Sequence, residues 1–167
     1  LISKETLSER YFFFNLNEKT KQYVEANLAD TGIMVSTKLK NNTQLSQYKD
    51  RFSHYTINKT TFNVAVSPYQ GKIWVIVDGD VYSASENFAM FCKNTGFATL
   101  LGTATGGDGG MADPLLISLP NSGLLVRFSM FYGLNADGSG NEANGTLPDV
   151  IMEEDKDALD ECLGLIY

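Results

Sequence analysis

The sequence predicts an α/β domain, because a strand, an amphipathic helix and a second strand follow one another in its middle. Residues 72–77 form an almost continuous apolar run, which is typical of a strand covered on both faces. From Ala84 to Thr95 apolar side chains recur with helical spacing, and Gly96 follows as a stop. Residues 98–101 are apolar again. This order favours a parallel strand pair joined by a crossover helix.

Composition and charge limit the functions that the chain can have. Of its 167 residues 43% are hydrophobic and 20% are charged, which is enough apolar material for one core. The net charge of −7 and the lack of a Lys/Arg cluster argue against a nucleic acid partner. No apolar run is long enough to cross a membrane, so we expect no direct membrane insertion of this chain.

The cysteine and histidine content argues against a disulfide scaffold and a metal site. Two cysteines are too few for a scaffold, and Cys92 falls on the apolar face of the predicted helix, so we expect a buried reduced thiol there. The chain has a single histidine and no zinc-type ligand spacing. We therefore expect no zinc site, and no metal or cofactor is needed for the chemistry considered below.

Residues 1–71 are predicted to flank the core, which residues 72–167 form. The aromatic run at 11–14 is too apolar for solvent and predicts an edge or docking segment of a core. Asn17 can cap a helix that runs to about residue 29. A short strand is expected at 33–35.

The rest of this flanking segment, residues 36–62, is polar and predicts a long loop. One helical turn is expected near residues 45–52. Apolar side chains alternate from Phe62 to Val66 and predict an edge strand or an extended arm.

Downstream of the central strands, glycines and prolines mark three further elements. Residues 102–110 contain five glycines and predict a loop whose backbone bends tightly or closely approaches another group. This loop lacks the Gly-Lys-Ser/Thr end of a phosphate-binding loop. Residues 115–119 and 124–130 flank a turn and predict a hairpin. A last strand is expected near 148–151, followed by a helix over 153–163 with acidic residues in its first turn.

A serine stands where the predicted strand passes into the predicted helix. The free N–H groups and partial positive charge of a helix N-terminus suit a developing oxyanion, so Ser83 is a candidate nucleophile. The same residues fit a capping box, in which Ser83 bonds a backbone N–H and Glu86 reaches back. Ser85 is a competing candidate for the nucleophile. From the local sequence alone these interpretations stay open.

Four motifs, taken in order and spacing, resemble one family. They are Tyr-Ser-Ala-Ser-Glu at 82–86, Leu-Gly-Thr-Ala-Thr-Gly-Gly at 101–107, Leu-Pro-Asn-Ser-Gly at 119–123 and Gly-Thr-Leu-Pro-Asp at 145–149. Together they resemble the tail-specific, or C-terminal processing, serine peptidases and their tricorn-like relatives. The resemblance covers about residues 72–151. It implies a crotonase- or ClpP-like β/β/α spiral core, of which this chain holds a partial domain.

The resemblance also implies roles for three residues. Ser83 becomes the nucleophile, and the backbone N–H of Ala84 becomes one donor of the oxyanion hole. The family's second donor comes from a glycine-rich motif upstream, which this chain does not contain. Glu142 stands three residues before Gly145 and matches a glutamate that supports the catalytic histidine in the tricorn-like branch.

One departure from the family bears on the general base. In the tail-specific branch a lysine of the glycine-rich loop is the base, and the aligned residue here is Asp108. Aspartate cannot replace a lysine that is tuned to be neutral near pH 7, so the lysine dyad is excluded. The histidine of the tricorn-like branch comes from the upstream half of the protease. His54, the only histidine here, lies in the polar segment and is expected to be exposed.

The function implied is that of a serine-type endopeptidase domain that hydrolyses protein segments or C-terminal tails. Its partners are the polypeptide substrate and the upstream half of the same catalytic domain. The chain begins with Leu1 rather than Met, so we expect a piece of a longer protein, with little activity on its own. The family suggests a place outside the cytoplasm, at the cell envelope.

Two other functions stay open. One is a catalytically degenerate peptide-binding module on the same fold, which the loss of the lysine favours. The other is an acyl-CoA enzyme of the crotonase type, against which the Ser-Ala-Ser-Glu motif argues.

Overall fold

The computed structural model describes residues 6–30, 37–41, 43, 45–62, 69, 71–109, 114–153 and 156–166. Contacts group the chain into two compact units. Unit 1 comprises Leu1–Arg10, Lys59–Gly109 and Leu134–Tyr167, and unit 2 comprises Tyr11–Asn58 and Gly110–Gly133. Because these units group residues by spatial contact rather than by chain order, the predicted division before residue 72 stays a prediction.

The elements follow one another as a mixture of strands and helices. The strands are β1 (Thr6–Phe14), β2 (Thr37–Lys38), β3 (His54–Phe62), β4 (Trp74–Val77), β5 (Thr99–Gly102), β6 (Leu115–Ser118), β7 (Leu125–Phe128), β8 (Tyr132–Gly133) and β9 (Val150–Ile151). The α-helices are α1 (Lys21–Asp30), α2 (Ala84–Thr95), α3 (Asn141–Asn144) and α4 (Ala158–Ile166). Short 3-10 turns lie at Leu39–Asn41 and Ser46–Tyr48. The predicted α/β class is confirmed.

The core of unit 1 is a parallel sheet with the strand order β4-β5-β9. Helix α2 joins β4 to β5, as the apolar spacing predicted, and packs Ala89 and Cys92 against Val77 and Leu100. Cys92 is a buried free thiol, as predicted. The expectation that β4 is covered on both faces is wrong in part, because the Ile76 side chain is 42% exposed.

The C-terminal helix begins later than predicted. Helix α4 runs over Ala158–Ile166 rather than residues 153–163. The Asp157 carboxylate accepts hydrogen bonds from the N–H groups of Leu159 at 2.8 Å and Asp160 at 3.0 Å. This side-chain cap fixes the start of the helix, since a capping carboxylate satisfies N–H groups that have no intrahelical acceptor.

The aromatic run forms the centre of unit 2. Phe12, Phe13 and Phe14 are buried in β1, and the Phe13 ring stacks on Tyr48 with centroids 4.4 Å apart. Strand β1 pairs antiparallel with β8, with Phe13 opposite Tyr132. The predicted core role of the run is therefore confirmed, but the expectation of an edge segment is wrong, because β1 lies between β3 and β8.

The segment before residue 62 contains a strand that the sequence did not predict. Residues 54–62 form β3 instead of a loop. Strand β3 lies between β2 and β1 in a four-stranded sheet, and its Tyr55 and Thr56 are buried. Pairing on both sides outweighs the weak strand propensity of the Asn and Lys residues in this segment. A helical turn at Ser46–Tyr48 agrees with the one expected near 45–52.

The N-terminus of α1 was predicted at the right place. The Asn17 side chain accepts hydrogen bonds from the N–H groups of Lys19 at 2.9 Å and Thr20 at 3.1 Å. The helix follows at Lys21. The strand expected at 33–35 and most of the one expected at 62–66 lie outside the described residues.

Strands β6 and β7 form the predicted hairpin, in which Leu115 pairs with Phe128 and Ser118 with Leu125. Many of its apolar side chains are exposed, and Leu125 is 70% exposed. None of the helices in the described part of the chain is both long enough and apolar enough to cross a membrane.

Candidate active site

Ser83 immediately precedes α2 and has an unusual backbone conformation. Its φ of 57° and ψ of −117° lie in a region that residues other than glycine rarely adopt. Its N–H donates a hydrogen bond to the Gly107 carbonyl oxygen at 3.2 Å, and Tyr82 forms a β-bridge with Gly107. The Gly106 N–H donates to the Val81 carbonyl oxygen at 2.8 Å. The glycine-rich loop therefore holds the strained turn in place.

The capping-box interpretation of this turn is contradicted. The Ser83 hydroxyl makes no capping hydrogen bond and its side chain is exposed. Glu86 points into the interior instead of reaching back to the turn. The first intrahelical bond runs from the Asn87 N–H to the Ser83 carbonyl oxygen at 3.0 Å. The N–H of Ala84 thus belongs to the first helical turn, whose N–H groups have no acceptor within the helix.

The competing serine is engaged in the turn itself. The Ser85 hydroxyl donates a hydrogen bond to the Tyr82 carbonyl oxygen at 2.7 Å. This bond shapes the chain around Ser83 and leaves Ser85 occupied by a backbone acceptor.

Glu86 is fully buried and anchors a polar network behind the turn. Its Oε1 atom accepts hydrogen bonds from Asn141 Nδ2 and Thr146 Oγ1, both at 2.6 Å. Asn141 Nδ2 also donates to Asn135 Oδ1 at 2.9 Å, and its Oδ1 accepts from the Gly109 N–H at 2.9 Å. A carboxylate with such partners ties α2 to α3 and to the glycine-rich loop.

A half-buried arginine completes this network. The Arg10 guanidinium donates hydrogen bonds to Asn87 Oδ1 and to the Gly109 carbonyl oxygen. Burial lowers the pKa of Arg10 to about 10, and the nearby negative charge of Glu86 opposes that shift. Arg10 therefore stays cationic at neutral pH, next to a buried carboxylate.

The glycines of two motifs are explained by backbone contact. A Cβ atom on Gly102 would lie 1.9 Å from the Val77 carbonyl oxygen, and one on Gly145 would lie 2.0 Å from the Thr105 carbonyl oxygen. Both glycines also have positive φ, 136° and 60°. The close approach predicted for the glycine-rich loop is thus confirmed, and it is an approach to other backbone segments.

The aspartate of the Gly-Thr-Leu-Pro-Asp motif is structural. Asp149 accepts hydrogen bonds from Lys93 Nζ at 2.5 Å and from the Leu100 N–H at 2.9 Å. Burial acts to raise the pKa of Asp149, but the bonds from Lys93 and Leu100 outweigh it and hold that pKa below its ordinary value. The motif therefore joins β9 to β5 and α2.

Glu142 lies in the first turn of α3 with an exposed side chain. Its backbone is near the loop that holds the serine turn, because a Cβ on Gly107 would lie 3.3 Å from the Glu142 carbonyl oxygen. Asp108 follows Gly107 with a φ of 58° and is half-buried. The structure thus brings Ser83, Asp108 and the Glu142 backbone into one neighbourhood through Gly107.

His54 lies in unit 2, on β3. Its Nδ1 is hydrogen-bonded to Ser53 Oγ at 2.9 Å, and its ring stacks on Phe14. Burial lowers the pKa of His54, and the positive charge of Lys38 lowers it further. The side chain is half-buried, so the expectation of exposure is wrong.

Sequence reasoning missed Arg10, Asn141 and Thr146. Thr146 lies inside a motif that the sequence singled out, so its role could have been found by asking what each motif residue contacts. Arg10 directly precedes the aromatic run, and a cation so close to a buried strand is the available signal. Asn141 carries no local signal.

Unit 1 also contains a cavity of about 290 Å³ beside the network. Its lining includes Met90, Asn94, Asn135, Ser139, Thr146 and Leu147. Within the described residues, no group of three or more His, Cys, Asp or Glu side chains could hold a metal ion.

Two solved structures are similar to this chain in fold. A candidate peptidase from Parabacteroides merdae ATCC 43184 has 25% identity and a TM-score of 0.55, over 68% of this chain and 38% of that one. Mature CPAF complexed with lactacystin has 17% identity and a TM-score of 0.55, over 89% of this chain and 34% of that one. This chain thus spans between 34% and 38% of the length of these two solved structures.

No curated protein matches the sequence. The model of peptidase family S41 matches residues 22–152, which is more than half of the chain. The serine turn and the glycine-rich loop lie within the matched segment, and the chain belongs to peptidase family S41.

Proposed function

We propose that this chain carries the nucleophile of a serine endopeptidase that works by acyl transfer. Ser83 attacks the peptide carbonyl, and the Ala84 N–H at the helix N-terminus stabilises the oxyanion. The observation that carries the proposal is the Ser83 turn, which is strained, exposed and not used as a helix cap. A strained strand-to-helix turn presents a serine hydroxyl in other hydrolases too.

The general base of this mechanism comes from another part of the protein. In unit 1 no described lysine or histidine is hydrogen-bonded to the Ser83 hydroxyl, and Asp108 stands at the position of the lysine. We therefore favour the tricorn-like arrangement, in which a histidine takes the proton. Glu142 orients and polarises that histidine from the first turn of α3.

The substrate and partners follow from the same reasoning. The core is a crotonase- or ClpP-like spiral that is completed by a further part of the same catalytic domain. The exposed apolar side chains of the β6–β7 hairpin, among them Leu116 and Leu125, support an additional covering segment, because a two-stranded sheet is marginally stable alone. The substrate is an extended protein segment or C-terminal tail. The peptidase is located outside the cytoplasm or at the cell envelope.

Replacing Ser83 tests the proposal directly. In the complete protein that carries this chain, Ser83→Ala should lower the rate of protein hydrolysis by about 10⁶-fold, as the loss of a serine nucleophile does. The matched control is Ser85→Ala, which removes one hydrogen bond worth about 1 kcal/mol and should lower the rate less than about 10-fold. Full hydrolysis by Ser83→Ala protein contradicts the proposal.

Glu142→Gln gives a finer test, because glutamine keeps the shape of the side chain and loses its charge. We expect a fall in kcat of about 10²-fold at neutral pH, within the range for groups that support a proton transfer. An unchanged kcat would remove Glu142 from the mechanism and leave Ser83 in place.

A second candidate function is a degenerate peptide-binding module, favoured by Asp108 at the position of the family's lysine. Assays on the wild-type protein distinguish the two functions. A catalyst releases new N-termini from a bound peptide and reacts with a fluorophosphonate at Ser83, whereas a degenerate module binds the peptide and does neither.

A further inference from the structure

We infer that Arg10 is a positioning residue for the Ser83 turn. Its guanidinium joins the turn to the glycine-rich loop through Asn87 Oδ1, the Gly109 carbonyl oxygen and the charge of buried Glu86. The inference rests on the proposed function, since it explains how the nucleophile of that function is held.

The contacts of Arg10 reach two separate segments at once. Asn87 lies in the first turns of α2, four residues after Ser83, and Gly109 belongs to the glycine-rich loop. Arg10 uses a different terminal nitrogen for each acceptor, Nη1 for Asn87 and Nη2 for Gly109. A planar guanidinium holds such a pair of acceptors at a fixed separation, which a single ammonium group does not.

Asn87 transmits the contact to the nucleophile. Its Oδ1 accepts from Arg10, so its Nδ2 faces the other way and donates to the Ser83 carbonyl oxygen at 3.2 Å. The arginine thereby fixes the orientation of this amide. The Ser83 carbonyl is held in addition by the backbone bond from the Asn87 N–H.

The negative charge of Glu86 favours a cationic side chain at position 10. Glu86 is fully buried, and while its Oε1 has two hydrogen bonds, its Oε2 has no hydrogen-bond partner among the described residues. A buried carboxylate needs compensation for the lost hydration. The positive charge of Arg10 supplies it, so removal of Arg10 leaves Glu86 uncompensated beneath the turn.

The test uses Arg10→Met and Arg10→Lys in the complete protein, with Lys59→Met as the matched control. Lys59 forms an exposed ion pair with Glu9, the neighbour of Arg10, and such pairs contribute little. We expect Arg10→Met to lower kcat by about 10- to 100-fold with KM changed less than about 3-fold, because misplacement affects the reacting atoms more than binding. Arg10→Lys should restore part of the loss, since it keeps the charge but holds one acceptor.

Hydrogen exchange provides a readout that does not depend on activity. In Arg10→Met protein the hydrogen-bonded amides among residues 83–90 and 105–109 should exchange at least about 10-fold faster, while those of α4 keep their wild-type protection. Lys59→Met should leave both sets unchanged. Uniformly faster exchange over all of unit 1, or none, overturns the inference.

The outcomes separate the two proposals. A wild-type kcat in Arg10→Met protein, with Ser83→Ala inactive, overturns the positioning role and keeps the nucleophile. If Ser83→Ala stays active, the proposed function fails, and local exchange in residues 83–90 still decides whether Arg10 holds the turn.

Discussion

The polar network of unit 1 and the aromatic cluster of unit 2 stabilise their surroundings by different means. We define the polar network as Arg10, Glu86, Asn87, Gly109, Asn141 and Thr146, and the aromatic cluster as Phe13, Tyr48, Phe52 and Tyr55. Hydrogen bonds, and the attraction between the Arg10 cation and buried Glu86, fix atoms in the network, while stacked and tilted rings fill volume in the cluster. This difference indicates that the polar network requires exact placement of atoms, whereas the aromatic cluster requires only apolar volume.

The largest effect is expected at a glycine beside the network. Gly145→Ala places a Cβ 2.0 Å from the Thr105 carbonyl oxygen at a φ of 60°, so backbone must move. We expect a loss of at least about 4 kcal/mol or failure to fold. The control Gly123→Ala in the hairpin turn also has a positive φ but open space, and should cost about 1 kcal/mol. Chemical denaturation measures both, and equal losses would show that conformation rather than backbone contact decides.

The next effect is expected from a substitution that preserves shape inside the network. Glu86→Gln can still accept from Asn141 and Thr146 but leaves the Arg10 cation without its counter-charge. We expect a loss of about 3 kcal/mol, in the range for breaking a buried charge pair. The double variant with Arg10→Met should lose less than the sum of the two single variants. If the losses in free energy of unfolding are additive in a double-mutant cycle, Arg10 and Glu86 do not interact.

A substitution that keeps most of the side-chain volume should destabilise the protein less in the aromatic cluster than in the polar network. Phe13→Leu keeps apolar volume against Tyr48 and should cost about 1.5 kcal/mol or less, whereas Phe13→Ala should cost about 3–5 kcal/mol. Urea unfolding of the two variants tests this. If Phe13→Leu lowers the free energy of unfolding as much as Glu86→Gln does, the aromatic cluster also depends on exact atomic placement and the distinction is wrong.

The smallest effect on stability is expected from lowering the pH, and it should differ between unit 1 and unit 2. The pKa of His54 lies below its ordinary 6.5, so the unfolded state binds its proton first and stability falls as the pH drops through 6.5. The pKa of Asp149 lies below 3.8, so its contribution is present above that pH and is lost only as the pH falls through its folded value.

Between pH 6.5 and pH 4, therefore, unit 2 should lose protection from hydrogen exchange before unit 1 does. Because His54 is only half-buried and Asp149 is exposed, the change should be small. His54→Gln should abolish the loss in unit 2, and a loss that persists in this variant would assign it to another group.

The sequence predicted the parts of the fold that local pattern specifies. The parallel β4–β5 pair, helix α2 and the β6–β7 hairpin follow from apolar spacing and turn residues, and all three are present. Strand β3 was missed because Asn58 and Lys59 interrupt its apolar alternation and its stability comes from pairing with distant strands. Burial of one face of β4 was overestimated, since an apolar run does not reveal what covers it.

The candidate site was predicted one residue at a time, and its assembly was not. Ser83, Ala84 and Glu142 could be named from motifs, and their roles stay predictions. The network could not be named, because Arg10 and Glu86 lie 76 positions apart in the sequence and only folding brings their charges together. The capping box failed for the same reason: Glu86 finds better partners in Asn141 and Thr146 than in its own helix.

The strained Ser83 turn also limits how this chemistry can be moved or copied. A backbone at φ 57° and ψ −117° costs about 1–3 kcal/mol and persists only where neighbours enforce it. A designer who grafts residues 82–86 alone onto another strand–helix junction leaves Gly107 behind, and with it the acceptor of the Ser83 N–H. The transplanted serine would relax into an ordinary helix cap, with its hydroxyl bonded to the helix and no longer presented to a substrate.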